Sequence, residues 1–153
     1  MNFFTYIDNT GYEILFVAIT AIVVAQVLKI ILHSIKTREF NLFFLFSTGG
    51  MPSSHSAMVS AAAISTGLIK GFGSALFALA TVLAIIVMHD AAGVRRSASE
   101  QARVLNQIAY ELFSPGHRLN KEKLKEFLGH TPKQVLAGAV LGIFISLILH
   151  FLI

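Results

Sequence analysis

The stretch Gly49-Gly50-Met51-Pro52-Ser53-Ser54-His55-Ser56-Ala57 sets a glycine pair, a proline, three serines and a histidine between long apolar runs. Proline is pre-set for helical φ and loses nothing by lacking an N–H in a first turn. The pattern predicts a helix that begins near Pro52 and runs into the apolar residues after Ala57. A first turn leaves backbone N–H groups unpaired and carries partial positive charge, so it can hold an anion. Ser53, Ser54 and His55 fall in that turn; serines add donors, and histidine carries a proton near neutral pH. The stretch reads as one wall of a phosphate site, with an ordinary helix cap as the plainer alternative.

The flanks decide the fold class. Hydrophobic residues make up 55% of the 153-residue chain and charged residues only 13%, which excludes an ordinary soluble domain. Polar residues gather in a few places instead of alternating. The expected fold is an all-α integral membrane protein in a single membrane domain, 1–153. With no cysteine there is neither a disulfide framework nor a thiolate metal site.

About four spans are expected, near residues 14–32, 52–69, 74–89 and 133–153, with a polar helical insertion over 95–130. Residues 1–13 mix Phe3, Phe4, Tyr6 and Tyr12 with Asp8 and Glu13; they suit a membrane–water interface and lack the basic start of a signal peptide. Lys29 stands near the end of the first span, where a lysine either snorkels to the headgroups or serves a site. The connector 33–48 carries Lys36, Arg38 and Glu39 and then four phenylalanines, an interfacial composition. The second segment is rich in small residues, Ala57, Ser60, Ala61, Ala62, Ala63, Ser65 and Gly67, and should be buried among the others. Lys70-Gly71-Phe72-Gly73-Ser74 is a tight turn. The middle pair is short enough to be a re-entrant hairpin; either way both its outer ends return to one membrane face.

In the insertion, Ser97-Ala98-Ser99-Glu100 fits a capping box, and Leu105, Ile108 and Leu112 share one face of a surface helix. Ser114-Pro115-Gly116 breaks it, and a second short helix is expected over 120–128. Gly138 and Gly142 lie four apart in the last span, a close-packing face that could also serve a homodimer.

Lysine and arginine are absent from residues 1–13 and crowd the insertion, from Arg95 and Arg96 through Arg103 and Arg118 to Lys133. The positive-inside rule then predicts a multi-pass cell-membrane protein with its amino terminus outside and its basic connectors in the cytoplasm. The basic run from Arg118 to Lys125 suits anionic lipid, and nucleic acid is not an expected partner because the cations are few and close to the bilayer.

That topology brings Lys29, His55, Asp90, Arg95, Arg96 and His130 to one face. Thr131 is the expected cap and Pro132 the first residue of the last helix. Two histidines at helix starts, ringed by cations, match what phosphoryl transfer needs: offset of phosphoryl charge, an attacking nitrogen and a proton donor for the leaving oxygen. The scheme needs no metal and no other cofactor, and the sequence holds neither a His-Glu-x-x-His motif nor a carboxylate cluster.

These residues resemble the divergent branch of the type 2 phosphatidic acid phosphatase and vanadium haloperoxidase superfamily, whose signatures are Lys-x6-Arg-Pro, Pro-Ser-Gly-His and Ser-Arg-x5-His-x3-Asp. Pro52-Ser53-Ser54-His55 is similar to the second, with Ser54 for glycine. Gly129-His130-Thr131-Pro132 and the helix after it resemble the region around the third signature's histidine. Gly93-Val94-Arg95-Arg96 with Gln101-Ala102 resembles the divergent branch. The resemblance implies His130 as nucleophile and His55 as general acid. It implies phosphate contacts from Lys29, Ser53, Ser54 and Arg95 or Arg96, with Arg38 a further candidate beside the blurred first signature. Where the family has an orienting aspartate this chain has Gln134, and Asp90 is a second candidate for that role. A long insertion separates Arg96 from His130, and the usual six-span core is shortened to about four.

Two functions from different classes follow. One is a lipid phosphate phosphatase acting through a phosphohistidine on phosphatidic acid, phosphatidylglycerophosphate or a prenyl (pyro)phosphate at the cytoplasmic face. The other is a non-catalytic phospholipid-binding or membrane assembly protein that keeps a degenerate phosphate site.

Overall fold

The computed structural model describes residues 8–38, 50–113 and 130–153. Among them are five α-helices: α1 (Gly11–Thr37), α2 (Ser54–Lys70), α3 (Ala75–Ala92), α4 (Val94–Phe113) and α5 (Pro132–Leu152). Three helical stretches are long and apolar enough to cross a membrane: Gly11–Ile35, Ala75–Ala92 and Pro132–Leu152. The fourth expected span, α2, has 17 residues and a length of about 26 Å at 1.5 Å per residue. It is the centre of the bundle and packs on α1, α3 and α5.

Small residues point inward and large ones outward, as suits helices that associate by close packing within lipid. On α1 the inner stripe is Val17, Ala21 and Ala25, all fully buried, while Leu15, Ile19, Val23, Val27 and Ile31 are exposed along the other side. The inner stripe meets Ala57 and Ala61 of α2 and Ile145 of α5. A second cluster joins Val59 and Ala63 of α2 to Ala84 of α3. Gly138 and Gly142 lie against the backbone of α2: a Cβ on either would overlap the carbonyl oxygen of Ser53 or Ala57. The glycine face considered for a homodimer is thus occupied within the chain. Because Gly138 meets Ser53 and Gly142 meets Ala57, α2 and α5 run parallel from the same end.

Several boundaries differ from the sequence expectation. Helix α1 continues past residue 32 to Thr37, because His33 and Ser34 are tolerated in a helix whose apolar spacing persists to Ile35. Arg38 ends it in a left-handed conformation (φ 57°), its amide donating to the carbonyl of Ser34 at 2.8 Å. Lys29 therefore lies about two turns inside the helix rather than at its end. Helix α2 starts at Ser54, not Pro52: Ser53 is the cap and its hydroxyl accepts the amide of Ser56, so Pro52 precedes the helix. Helix α3 runs beyond residue 89 to Ala92. The expected cap Ser97 is an interior residue of α4, its amide donating to Gly93, and Gly93 alone joins α3 to α4. The aromatic run of the first connector, the break at Ser114-Pro115-Gly116, the short helix over 120–128 and the basic run Arg118 to Lys125 lie outside the described residues.

Candidate functional site

The site is built where α2 and α5 begin. The amide of Ser53 donates to the carbonyl of Gln134 at 3.0 Å, which joins the two helix starts directly. His55 is two residues after one partner and His130 four residues before the other. The amide of His130 donates to the carbonyl of Ala91 at 3.1 Å, so the end of α3 closes the same corner. Asp90, half-buried, precedes that carbonyl. These two backbone bonds bring the starts of α2 and α5 and the end of α3 together.

Burial in this corner is polar. Ser53, Ser54, Ser56, Lys29 and His130 are all nearly inaccessible, with Lys29 2% and His130 3% exposed. Lys29 does not snorkel away. Its aliphatic stem passes Gly50: a Cβ there would come within 3.1 Å of Lys29 Cγ. Gly50 also has φ +98°, a conformation that glycine alone adopts without strain. Gly50 of the opening motif therefore lies against the lysine stem, a contact with no local signal. Ser53 and Ser56 share a hydroxyl contact of 3.0 Å, so Ser53 serves as a cap as well as lining the corner.

Gln134 orients His130. Its Oε1 accepts the amide of Thr131 at 3.0 Å and stands 3.2 Å from His130 Nδ1. A backbone N–H only donates, so the side-chain atom it meets is the oxygen and not the amide nitrogen. That oxygen only accepts, so in a neutral ring the proton is on Nδ1 and the lone pair on Nε2. Pro132 opens α5 with Thr131 as its cap, as the sequence predicts.

Arg95 and Arg96 have their backbone in the first turn of α4, just past the Gly93 joint; their side chains lie outside the described part. Arg38 is exposed at the end of α1, about 13 Å along the helix axis from Lys29. Among the described residues no three of His, Cys, Asp and Glu come together as a metal set.

The sequence reading missed a second polar contact at the opposite end of the bundle. Glu13, expected in an interfacial segment, is fully buried in the first turn of α1. Its Oε1 is 2.8 Å from His150 Nδ1, and its Oε2 accepts the amide of Asn9 at 2.8 Å. His150 stands in the last turn of α5. The two are separated by 137 positions, and only the antiparallel packing of α1 on α5 joins them.

The chain is 40% identical over 144 residues to the uncharacterized membrane protein YuiD of Bacillus subtilis (strain 168), covering 88% of this chain and 91% of that protein. No solved structure matches it. The family whose description is Divergent PAP2 family matches residues 10–145. That match begins at the cap of α1 and ends deep in α5, taking in all the elements that build the corner, and the chain belongs to the Divergent PAP2 family.

Proposed function

We propose that the chain is a lipid phosphate phosphatase working through a phosphohistidine. The observation that carries the reading is the bond between Ser53 and Gln134, which joins the helix starts bearing His55 and His130. In this scheme His130 Nε2 attacks phosphorus and the P–O ester bond breaks. His55, protonated, gives its proton to the departing alcohol oxygen. A water then attacks the phosphohistidine, His55 takes its proton, the N–P bond breaks and inorganic phosphate leaves. The first-turn N–H groups of α2, the hydroxyls of Ser53 and Ser54, and Lys29 offset the charge of the phosphoryl oxygens, with Arg95 or Arg96 as further cations. No step requires a metal.

The substrate proposed is a phosphorylated lipid of the cytoplasmic leaflet, since the excess of Lys and Arg lies on the connectors at this end of the bundle. Purified protein in mixed micelles is to be screened for phosphate release from phosphatidic acid, phosphatidylglycerophosphate and prenyl pyrophosphates, beside His130→Ala and His55→Ala. Release that vanadate inhibits and both substitutions abolish supports the scheme. Full activity in either variant rejects its assignment.

One observation favours a non-catalytic phospholipid-binding role instead. The partner of His130 Nδ1 is a neutral amide, which orients the ring but supplies no charge to stabilise an imidazolium. Lipid binding that survives in His130→Ala, with no turnover by wild type across the panel, would establish that role.

A further inference from the structure

Helix α4 has an apolar side that no other described helix covers. Ser97, Gln101, Val104 and Leu105 line an open hollow on it. Val104, Leu105 and Ile108 are each about half exposed. The positions 97, 101, 104, 105 and 108 recur at helical spacing and form one stripe. Arg103 and Gln107 are exposed off that stripe. Of the described helices only α3 touches α4.

The connection to α3 fixes the height of α4. Helix α3 is long and apolar enough to span, and it ends at Ala92. Gly93 is the single joint, its amide bonded to the carbonyl of His89 at 2.8 Å. The first turn of α4 therefore starts within about one turn of the bilayer boundary. A helix leaving that boundary with one apolar and one polar side minimises exposed apolar area by lying along it, apolar side toward the acyl chains.

We infer that α4 is an interfacial helix, seated in the same leaflet as the helix starts of α2 and α5, with Val104, Leu105 and Ile108 in the acyl boundary. The occupant of its apolar side is the lipid of the membrane that holds the spans. The hollow at Ser97 and Gln101 then opens on lipid. This inference concerns where the helix lies and holds whether or not the site is catalytic.

The chain contains no tryptophan, so single substitutions report cleanly. Leu105→Trp and Gln107→Trp, two apart and on nearly opposite sides of the helix, are compared in the full chain in phosphatidylcholine–phosphatidylglycerol vesicles. Leu79→Trp on the exposed side of α3 serves as the lipid-facing reference, and Ile108→Trp replaces Leu105→Trp if that variant fails to fold. The inference requires blue-shifted Leu105→Trp emission that lipids brominated on their acyl chains quench and aqueous iodide does not, with the reverse for Gln107→Trp. Emission from Leu105→Trp that iodide quenches and bromine does not overturns it, because the helix then projects into water. Shielding from both quenchers also overturns it and assigns the face to protein; loss of that shielding on dilution in lipid identifies a second copy, and its persistence identifies residues 114–129 of this chain.

Discussion

His130 Nδ1 and Gln134 Oε1 stand 3.2 Å apart, and the same oxygen holds the amide of Thr131 at 3.0 Å. Two donors on one acceptor leave the imidazole a single neutral tautomer, with the proton on Nδ1. Free histidine has no such constraint. The cap of a helix and the orientation of a candidate nucleophile are thus one interaction.

Nitrogen-15 spectra of selectively labelled protein should therefore show His130, when neutral, protonated at Nδ1. Gln134→Leu removes the acceptor and should abolish that preference. Where turnover is measurable, it should fall by roughly 5–150-fold, the loss expected for a buried hydrogen bond of about 1–3 kcal/mol. Gln134→Glu keeps the acceptor and adds charge, so it should preserve the tautomer and stabilise the imidazolium. An unchanged tautomer in Gln134→Leu would show that another group orients the ring.

Gly50 should be as sensitive as a binding residue although it has no side chain. Gly50→Ala places a Cβ against the Lys29 stem in a left-handed conformation. The conformational cost is about 1–3 kcal/mol, and the lysine must also shift. The variant should melt earlier and bind vanadate more weakly. Lys29→Met, which keeps the packing stem but removes the charge, should lose vanadate binding with a smaller loss in melting temperature. Equal vanadate affinity in wild type and Lys29→Met would remove the lysine from the site.

What could be read in the sequence was local, or a matter of which membrane face a segment returns to. Pro132, Thr131 and Gln134 announce the start of α5 within four positions, and the small residues of α2 announce that it is surrounded. The meeting of the starts of α2 and α5 followed from the order of spans and the charge of the connectors. Contacts between distant positions carried no such signal. Nothing near Gly50 indicates Lys29, and nothing near Glu13 indicates His150. The end of α1 was placed too early because His33 and Ser34 interrupt the apolar run without interrupting the helix. Ser97 looked like a cap because a serine followed by Glu100 has that form, but the chain was already helical from Val94.

The parallel contact of α2 and α5 depends on two missing side chains. Gly142→Leu pushes a branched side chain into the backbone of Ala57 and Ala61. Overpacking of this kind costs about 1–3 kcal/mol and more where backbone must move. Because Ser53 hangs on Gln134 at the end of the same interface, the corner should open as the helices part. The expected result is a lower melting temperature in detergent together with weaker vanadate binding. Gly73→Ala, at a position with nothing near its missing Cβ, should change neither. A Gly142→Leu variant with wild-type melting behaviour would mean that α5 does not pack on α2 as described.

Glu13 and His150 make the remaining prediction, and it separates stability from the site. Glu13 is fully buried and His150 only partly so, so removing the histidine strands a carboxylate with one of its oxygens unpartnered. An orphaned buried polar group costs about 1–3 kcal/mol, and more if it is charged. His150→Phe should therefore lower the melting temperature clearly. Glu13→Leu combined with His150→Phe replaces both partners by apolar groups and should recover much of the loss, since a polar pair in a low-dielectric setting often contributes little beyond its apolar equivalent. The pair sits at the far end of the bundle from His55 and His130, so vanadate affinity at saturating folded protein should be the same in the double variant and in wild type. A full cycle of melts on the four proteins measures the coupling. A coupling near zero would show that the 2.8 Å contact carries no stability, and a changed vanadate affinity would show that the two ends of the bundle communicate.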